Sequence, residues 1–169
     1  MHQHQLKPIT AAGIPAALQK AERYRLLNDS PAAESICLDI LAVDPKNQSA
    51  IITLILAITD QFESADSADG LRRAQELIPR IDDVYKRGYY GGIVYERRAK
   101  AQLHRVLPGA AAIAADWYHK AMDCYEKAEK IRPSGNDESI LRWNTCVRML
   151  AKHEPAHGTR DEYEPALDD

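Results

Sequence analysis

The residues whose spacing carries the most chemistry lie near the end of the chain, where His153, Glu154 and His157 form an H-E-x-x-H pattern. On one helix that pattern sets two imidazoles on a zinc ion, with the glutamate beside a metal-bound water. The geometry needs both histidines on one helical face, and Pro155 disfavours helix at the residue before it. No further ligand stands out downstream, and His2 and His4 are scattered, so the pattern reads as tail composition and no metal site is predicted. Three cysteines, Cys37, Cys124 and Cys146, make an odd number without metal-ligand spacing, each inside a predicted helix. They read as small apolar residues in a reducing compartment, not as redox or metal groups. No Gly-rich phosphate loop, G-x-S-x-G, Cys-x-x-Cys or paired acid-base constellation occurs, so no catalytic residue, no cofactor and no enzymatic activity are expected.

A second chemical feature is charge. Residues 86–105 hold Lys86, Arg87, Arg97, Arg98, Lys100 and Arg105 against Glu96 alone, interleaved with Tyr89, Tyr90 and Tyr95. Such a segment could meet nucleic acid or another polyanion, which is the alternative function; a solvated helix face is the plainer reading. The whole chain of 169 residues has a net charge of -3, with 28% charged and 45% hydrophobic residues, and this balance argues against nucleic acid as the main partner. Residues 50–59 form the longest apolar run, about half of what spans a bilayer, and Asp60 closes it. The weakly apolar stretch 8–18 is broken by Pro8, Thr10, Gly13 and Pro15, so no signal peptide is read there. The expectation is a cytoplasmic protein with no membrane partner.

The elements that must position these residues are helices. Ala121, Tyr125, Ala128 and Pro133 are spaced 4, 3 and 5 apart, and Ala33, Cys37, Ile40 and Pro45 repeat those spacings. A small residue, a larger apolar one four on and another three beyond form one helical stripe, and the proline stops the helix. Each stripe is therefore the second helix of a helical pair. The pattern resembles the tetratricopeptide repeat (TPR), a 34-residue helix-turn-helix unit. With Ile14 as position one, Ala21, Tyr24, Ala33 and Pro45 fall on the signature positions 8, 11, 20 and 32, while Ala17 and Lys20 depart from the family's usual Trp and Leu. With Tyr85 as position one, Gly92 and Tyr95 take positions 8 and 11. The resemblance implies an all-α, TPR-like right-handed superhelix of stacked antiparallel pairs, about seven helices in all, acting as a non-enzymatic scaffold that binds a protein or peptide partner in its concave groove.

Along the chain, residues 1–13 read as a flexible arm, 14–154 as the repeat domain and 155–169 as an acidic tail. Helices are expected from Ile14, with Pro15 in the first turn; from Ser30 as N-cap, with Pro31 following; from Asn47 as N-cap, through an almost wholly apolar central helix; across 68–85, kinked or ended by Pro79; and across 137–152. Ala33 and Ala121 are 88 residues apart and Ala21 and Gly92 are 71 apart, so 17 extra residues fall inside the third repeat. They sit around Leu107-Pro108-Gly109 and predict a helical hairpin whose arms are longer by about two turns, roughly 12 Å.

The family frame also implies a site. Groove-lining positions give Leu18, Arg25, Ile52, Leu56, Tyr89, Ile93 and Asn144, with Arg97 at the rim. Ile52, Leu56, Tyr89 and Ile93 are expected as a floor that the stack itself leaves open. The carboxylate clamp known from chaperone-binding members of the family is not present at these positions. Leu103, Val106, Leu107, Ile113 and Trp117 on the hairpin are expected to form an association surface, for a homodimer or a second partner. The tail carries a net -5 from Glu154 onward, with Tyr163 and Leu167 four apart. It reads as a solubilising segment, or alternatively as one that docks on the basic helix or competes for the groove.

Overall fold

The computed structural model describes residues 4–64 and 67–153. Among them the chain is all-helical, with seven α-helices and no strand: α1 Ile14–Leu26, α2 Ser30–Val43, α3 Gln48–Asp60, α4 Ser67–Leu77, α5 Val84–His104, α6 Ala110–Glu129 and α7 Glu138–His153. The expected all-α class and helix number are both observed.

Most helix starts follow from local chemistry. Pro15 lies in the first turn of α1, where a missing N–H breaks no hydrogen bond, and the Asn47 side chain accepts from Ala50 N at 3.0 Å to cap α3. Ser30 corrects the sequence reading. The cap of α2 is Asp29, whose Oδ1 accepts from Ala32 N at 3.3 Å, whereas Ser30 is already helical and buried. Its hydroxyl donates to Asp60 Oδ2 at 3.2 Å, a partner 30 residues away.

The expected helix over 68–85 stops at Leu77. Pro79, which has no N–H and whose ring crowds the carbonyl four residues back, sits in a 3-10 turn over Ile78–Arg80. That turn is then pinned to the start of α3, because the Gln48 amide donates to the Arg80 carbonyl at 3.3 Å and accepts from Asp82 N at 2.8 Å. Asp83 caps α5 through Lys86 N at 2.8 Å. At the other end of the chain, residues 4–10 have no regular structure, but Ile9 packs against the core.

Each helix packs on the next, and α3 also touches α1 and α5. Helix α3 is therefore contacted by four helices, which is why Ile51, Leu54, Ile55 and Ile58 are all buried. Two apolar cores result, one built mainly on α1 to α4 around Ala33, Cys37, Ile40 and Ile55, the other on α5 to α7 around Ala99, Ala121, Tyr125 and Cys146. Each large side chain covered in this way contributes about 1.5–3 kcal/mol. Both sequence stripes are buried, but their sizes trade between pairs. Tyr125 replaces the smaller Cys37, and Gly92 stands where the first pair has Ala21.

Helices α5 and α6 run for 21 and 20 residues against 13 for α1 and α3. Eight more residues lengthen a helix by about 12 Å at 1.5 Å each. The hairpin turns through residues 105–109, where Gly109 takes the left-handed φ of 78° that favours glycine. On one flank the His104 imidazole pairs with Glu63 at 2.6 Å, and on the other the C-terminal end of α7 lies alongside.

Candidate functional site

Leu18, Ile52 and Tyr89, on α1, α3 and α5, are all half-buried, the first two packed against the first core and Tyr89 against the second. Leu56, one turn beyond Ile52, is half-buried too. Tyr89 belongs to an aromatic cluster, stacked on Tyr85 at 6.0 Å and edge-on to Tyr90 at 5.2 Å. Ile93 departs from the expected open floor. It is 3% exposed, because α5 packs against α3, α4 and α6 and its apolar side chains toward them are covered.

The two arginines expected in the groove are held within the protein. Asp60, at the end of α3, accepts from Arg25 Nε at 2.8 Å, from Arg97 Nη1 at 2.6 Å and from Ser30. Arg97 donates further to the Leu56 carbonyl at 3.0 Å and to Thr59 Oγ1 at 2.7 Å. Burial lowers the Arg97 pKa from its usual value, and the Asp60 carboxylate opposes that shift. Four helices, α1, α2, α3 and α5, are thereby tied at one carboxylate.

Asn144 lies elsewhere. It lines a cleft of about 550 Å³ between α6 and α7 together with Glu126, Lys130, Ile140 and Trp143. The reason is helical phase: α7 turns Arg142 toward Glu96 of α5 and buries Cys146 in the second core, which sends Asn144, two residues from each, to the other side.

A polar centre that sequence reasoning missed is Glu96. Read along the chain it is a lone acid among cations, yet it is 1% exposed. Its Oε2 accepts from the Tyr125 hydroxyl at 2.7 Å, and its Oε1 lies 2.7 Å from Lys100 Nζ and 3.3 Å from Arg142 Nη1. Burial, with the carboxylate close by, raises the Tyr125 pKa, so the phenol stays protonated and donates. The spacing of Glu96 and Lys100 was a visible signal; Tyr125 and Arg142, 29 and 46 residues away, were not.

These partners change the meaning of the basic segment. Arg97 and Lys100 are paired, Arg87 donates to the Ile81 and Asp82 carbonyls at 2.9 and 3.4 Å, and the Arg98 guanidinium lies 5.9 Å from the Trp117 ring centroid. The charge open to a polyanion is smaller than the count along the chain.

The hairpin surface divides in the same way. Leu103 and Trp117 are half-buried and pack on the second core, with Trp117 stacked on Tyr95 at 5.9 Å and under Lys120 Nζ at 4.2 Å. Val106, Leu107 and Ile113 are exposed at 99, 60 and 46%. The wet apolar surface is the tip of the hairpin, not its shaft.

All three thiols are free. Burial pushes Cys37 and Cys146 up to about 12 and raises Cys124 as well. At pH 8 the thiolate fraction at Cys37 and Cys146 is on the order of 10⁻⁴, and the thiolate is the nucleophile. A disulfide reagent at pH 8 is therefore expected to leave both unmodified in the folded chain and to titrate them fully in guanidinium. Prompt stoichiometric labelling of either one without denaturant would contradict this assignment.

His153 ends α7, whereas residues 154–157 of the H-E-x-x-H pattern and the acidic tail lie outside the described residues. Among the described residues no group of three or more His, Cys, Asp or Glu side chains is placed to hold a metal ion, and no helix is long and apolar enough to cross a membrane. The chain matches no protein-family model, no curated protein and no solved structure, so these surfaces themselves carry the functional reading.

Proposed function

We propose that this chain is a TPR-like, non-enzymatic binding module, working in the cytoplasm as a scaffold. An amphipathic helix or an extended apolar peptide of a protein partner lies across α1, α3 and α5. One observation carries the reading: Leu18, Ile52 and Tyr89 take matching positions of the repeat frame on three helices that adjoin through α3, and on α3 Ile52 and Leu56 stay half-buried while its other apolar side chains are covered. Helix pairing in chain order, the two buried stripes and the small residue opposite Tyr125 support the repeat architecture. The Arg25–Asp60–Arg97 clamp supports it from another side, since it holds the first helices of three pairs in fixed register, as a preorganised groove requires. Binding of a polyanion through 86–105 has less support, because much of that charge is paired internally.

Covering one such side chain gains about 1.5–3 kcal/mol, so burying a carboxylate in place of Leu56 should weaken a partner at least tenfold. Capture from source lysate by the native chain and by Leu56→Asp, with thermal unfolding followed on both, tests the reading. A partner held by the native chain and lost by a variant of unchanged Tm supports the groove. Equal capture by the two removes it.

A further inference from the structure

Beyond the groove, the ends of α5, α6 and α7 enclose a pocket of about 300 Å³ walled by Leu103, Ala111, Ala115, Tyr118, Leu150 and His153. The first two turns of α6 contribute only small side chains to it, so nothing from the described residues fills the space. We propose that this pocket is the docking site of the chain's own residues 154–169, with Tyr163 and Leu167 seated in it.

Three observations select this occupant. The described chain ends at His153, which is itself a wall of the pocket, and 16 more residues follow from that point. Tyr163 and Leu167 are the only large apolar side chains among those 16. Tyr163 lies ten positions after His153, and at about 3.3–3.6 Å per position that is ample length to leave the helix and return. Size agrees as well: a cavity of about 150 Å³ takes one benzene ring, so the pocket has room for a phenol ring and a leucyl side chain together.

Charge agrees with size. The segment carries Glu154, Asp161, Glu162, Glu164, Asp168 and Asp169 against Arg160, a net -5. His153, a wall of the pocket, ends α7 directly after Lys152, so the last turn of that helix is basic. Asp116 follows the pocket residue Ala115 on α6, and Glu63 is already paired with His104. Exposed charges of this kind contribute little each and are screened by salt, so they steer the segment while the two apolar anchors hold it. Tethering then supplies a high effective concentration, which lets a weak contact stay occupied. The pocket thus has a built-in occupant, and an outside ligand that displaces it has the same chemistry: an acidic peptide with an aromatic residue and a leucine four apart. The inference stands independently of the groove, which lies on α1, α3 and α5.

The test compares NMR spectra of the full chain with those of its Tyr163→Ser/Leu167→Ser variant, then titrates the variant with a synthetic peptide of residues 154–169. Signals of Leu103, Ala111, Ala115 and Leu150 should differ between the two proteins and return toward native positions as the peptide is added. The same peptide with both anchors replaced should bind at least tenfold more weakly, and 0.5 M salt should weaken the native peptide severalfold. Identical pocket signals in the two full-length proteins would overturn the proposal. So would peptide shifts at Ile52 and Leu56 instead of the pocket. Pocket signals that move with protein concentration, with scattering rising toward twice the chain mass, would also overturn it by giving the pocket to the hairpin tip of a second copy.

Discussion

Gly92→Ala should destabilise the protein by about 3 kcal/mol, while the same change one residue earlier, Gly91→Ala, should stabilise it by about 0.5–1 kcal/mol. A methyl built on Gly92 would lie 2.4, 2.6 and 2.8 Å from three atoms of the Tyr125 ring. That ring cannot move aside cheaply, because Tyr125 is fully buried and its hydroxyl donates to the buried Glu96. Overpacking of this kind costs about 1–3 kcal/mol, and a ring forced off its partner loses a hydrogen bond to a charged group worth about 1.5–3 kcal/mol. The better helix propensity of alanine returns only about 1 kcal/mol. At Gly91 the added methyl meets Cys124 Sγ at 3.9 Å and Ile78 Cγ2 at 4.0 Å, which is ordinary contact, so the propensity gain stands alone. Denaturant unfolding of both variants decides the matter. A Tyr125→Leu change made on the Gly92→Ala background should recover part of the loss, with a coupling above about 1 kcal/mol in the double-mutant cycle. Equal stabilities for the two single glycine variants would show that the helices do not approach as closely as described.

Glu96→Ala should cost about 3 kcal/mol, roughly 6–12 °C in Tm for a chain of this size. The loss comes mainly from the Tyr125 hydroxyl, left in the core without its acceptor, and from the space vacated by the side chain. Lys100 and Arg142 add little, since each side chain is more than a third exposed and regains water once released. This assignment sets an order. Glu96→Gln, which retains an acceptor and most of the volume, should cost about half as much, and Tyr125→Phe about 1.5–2 kcal/mol. Combining Glu96→Ala with Tyr125→Phe should cost little more than Glu96→Ala alone, because both remove the same bond. If Glu96→Ala lies within about 0.5 kcal/mol of native, the carboxylate is not a structural centre of the second core.

Sequence alone determined whatever is decided within a few residues. Pro15 and Asn47 announced their helix starts, Pro79 announced an interruption, and Leu107-Pro108-Gly109 announced the turn of a long hairpin, because capping, proline geometry and left-handed glycine act locally. The 4, 3 spacing of Ala33, Cys37 and Ile40, and of Ala121, Tyr125 and Ala128, likewise predicted two buried stripes, since helical period alone sets which side chains share a face. What covers a face, and what neutralises a charge, only the tertiary structure decided. Asp60 drew Ser30 away from capping α2 and took Arg25 and Arg97 from the groove, across separations of 30 to 37 residues. Packing on three helices buried Ile93, and contact with α5 set the phase of α7 that turned Asn144 into another cleft. Glu96 is the extreme case: a polar residue inside a basic run became the buried hydrogen-bonding centre of a core, because Tyr125 and Arg142, which join Lys100 in solvating it, come from helices the chain reaches only later.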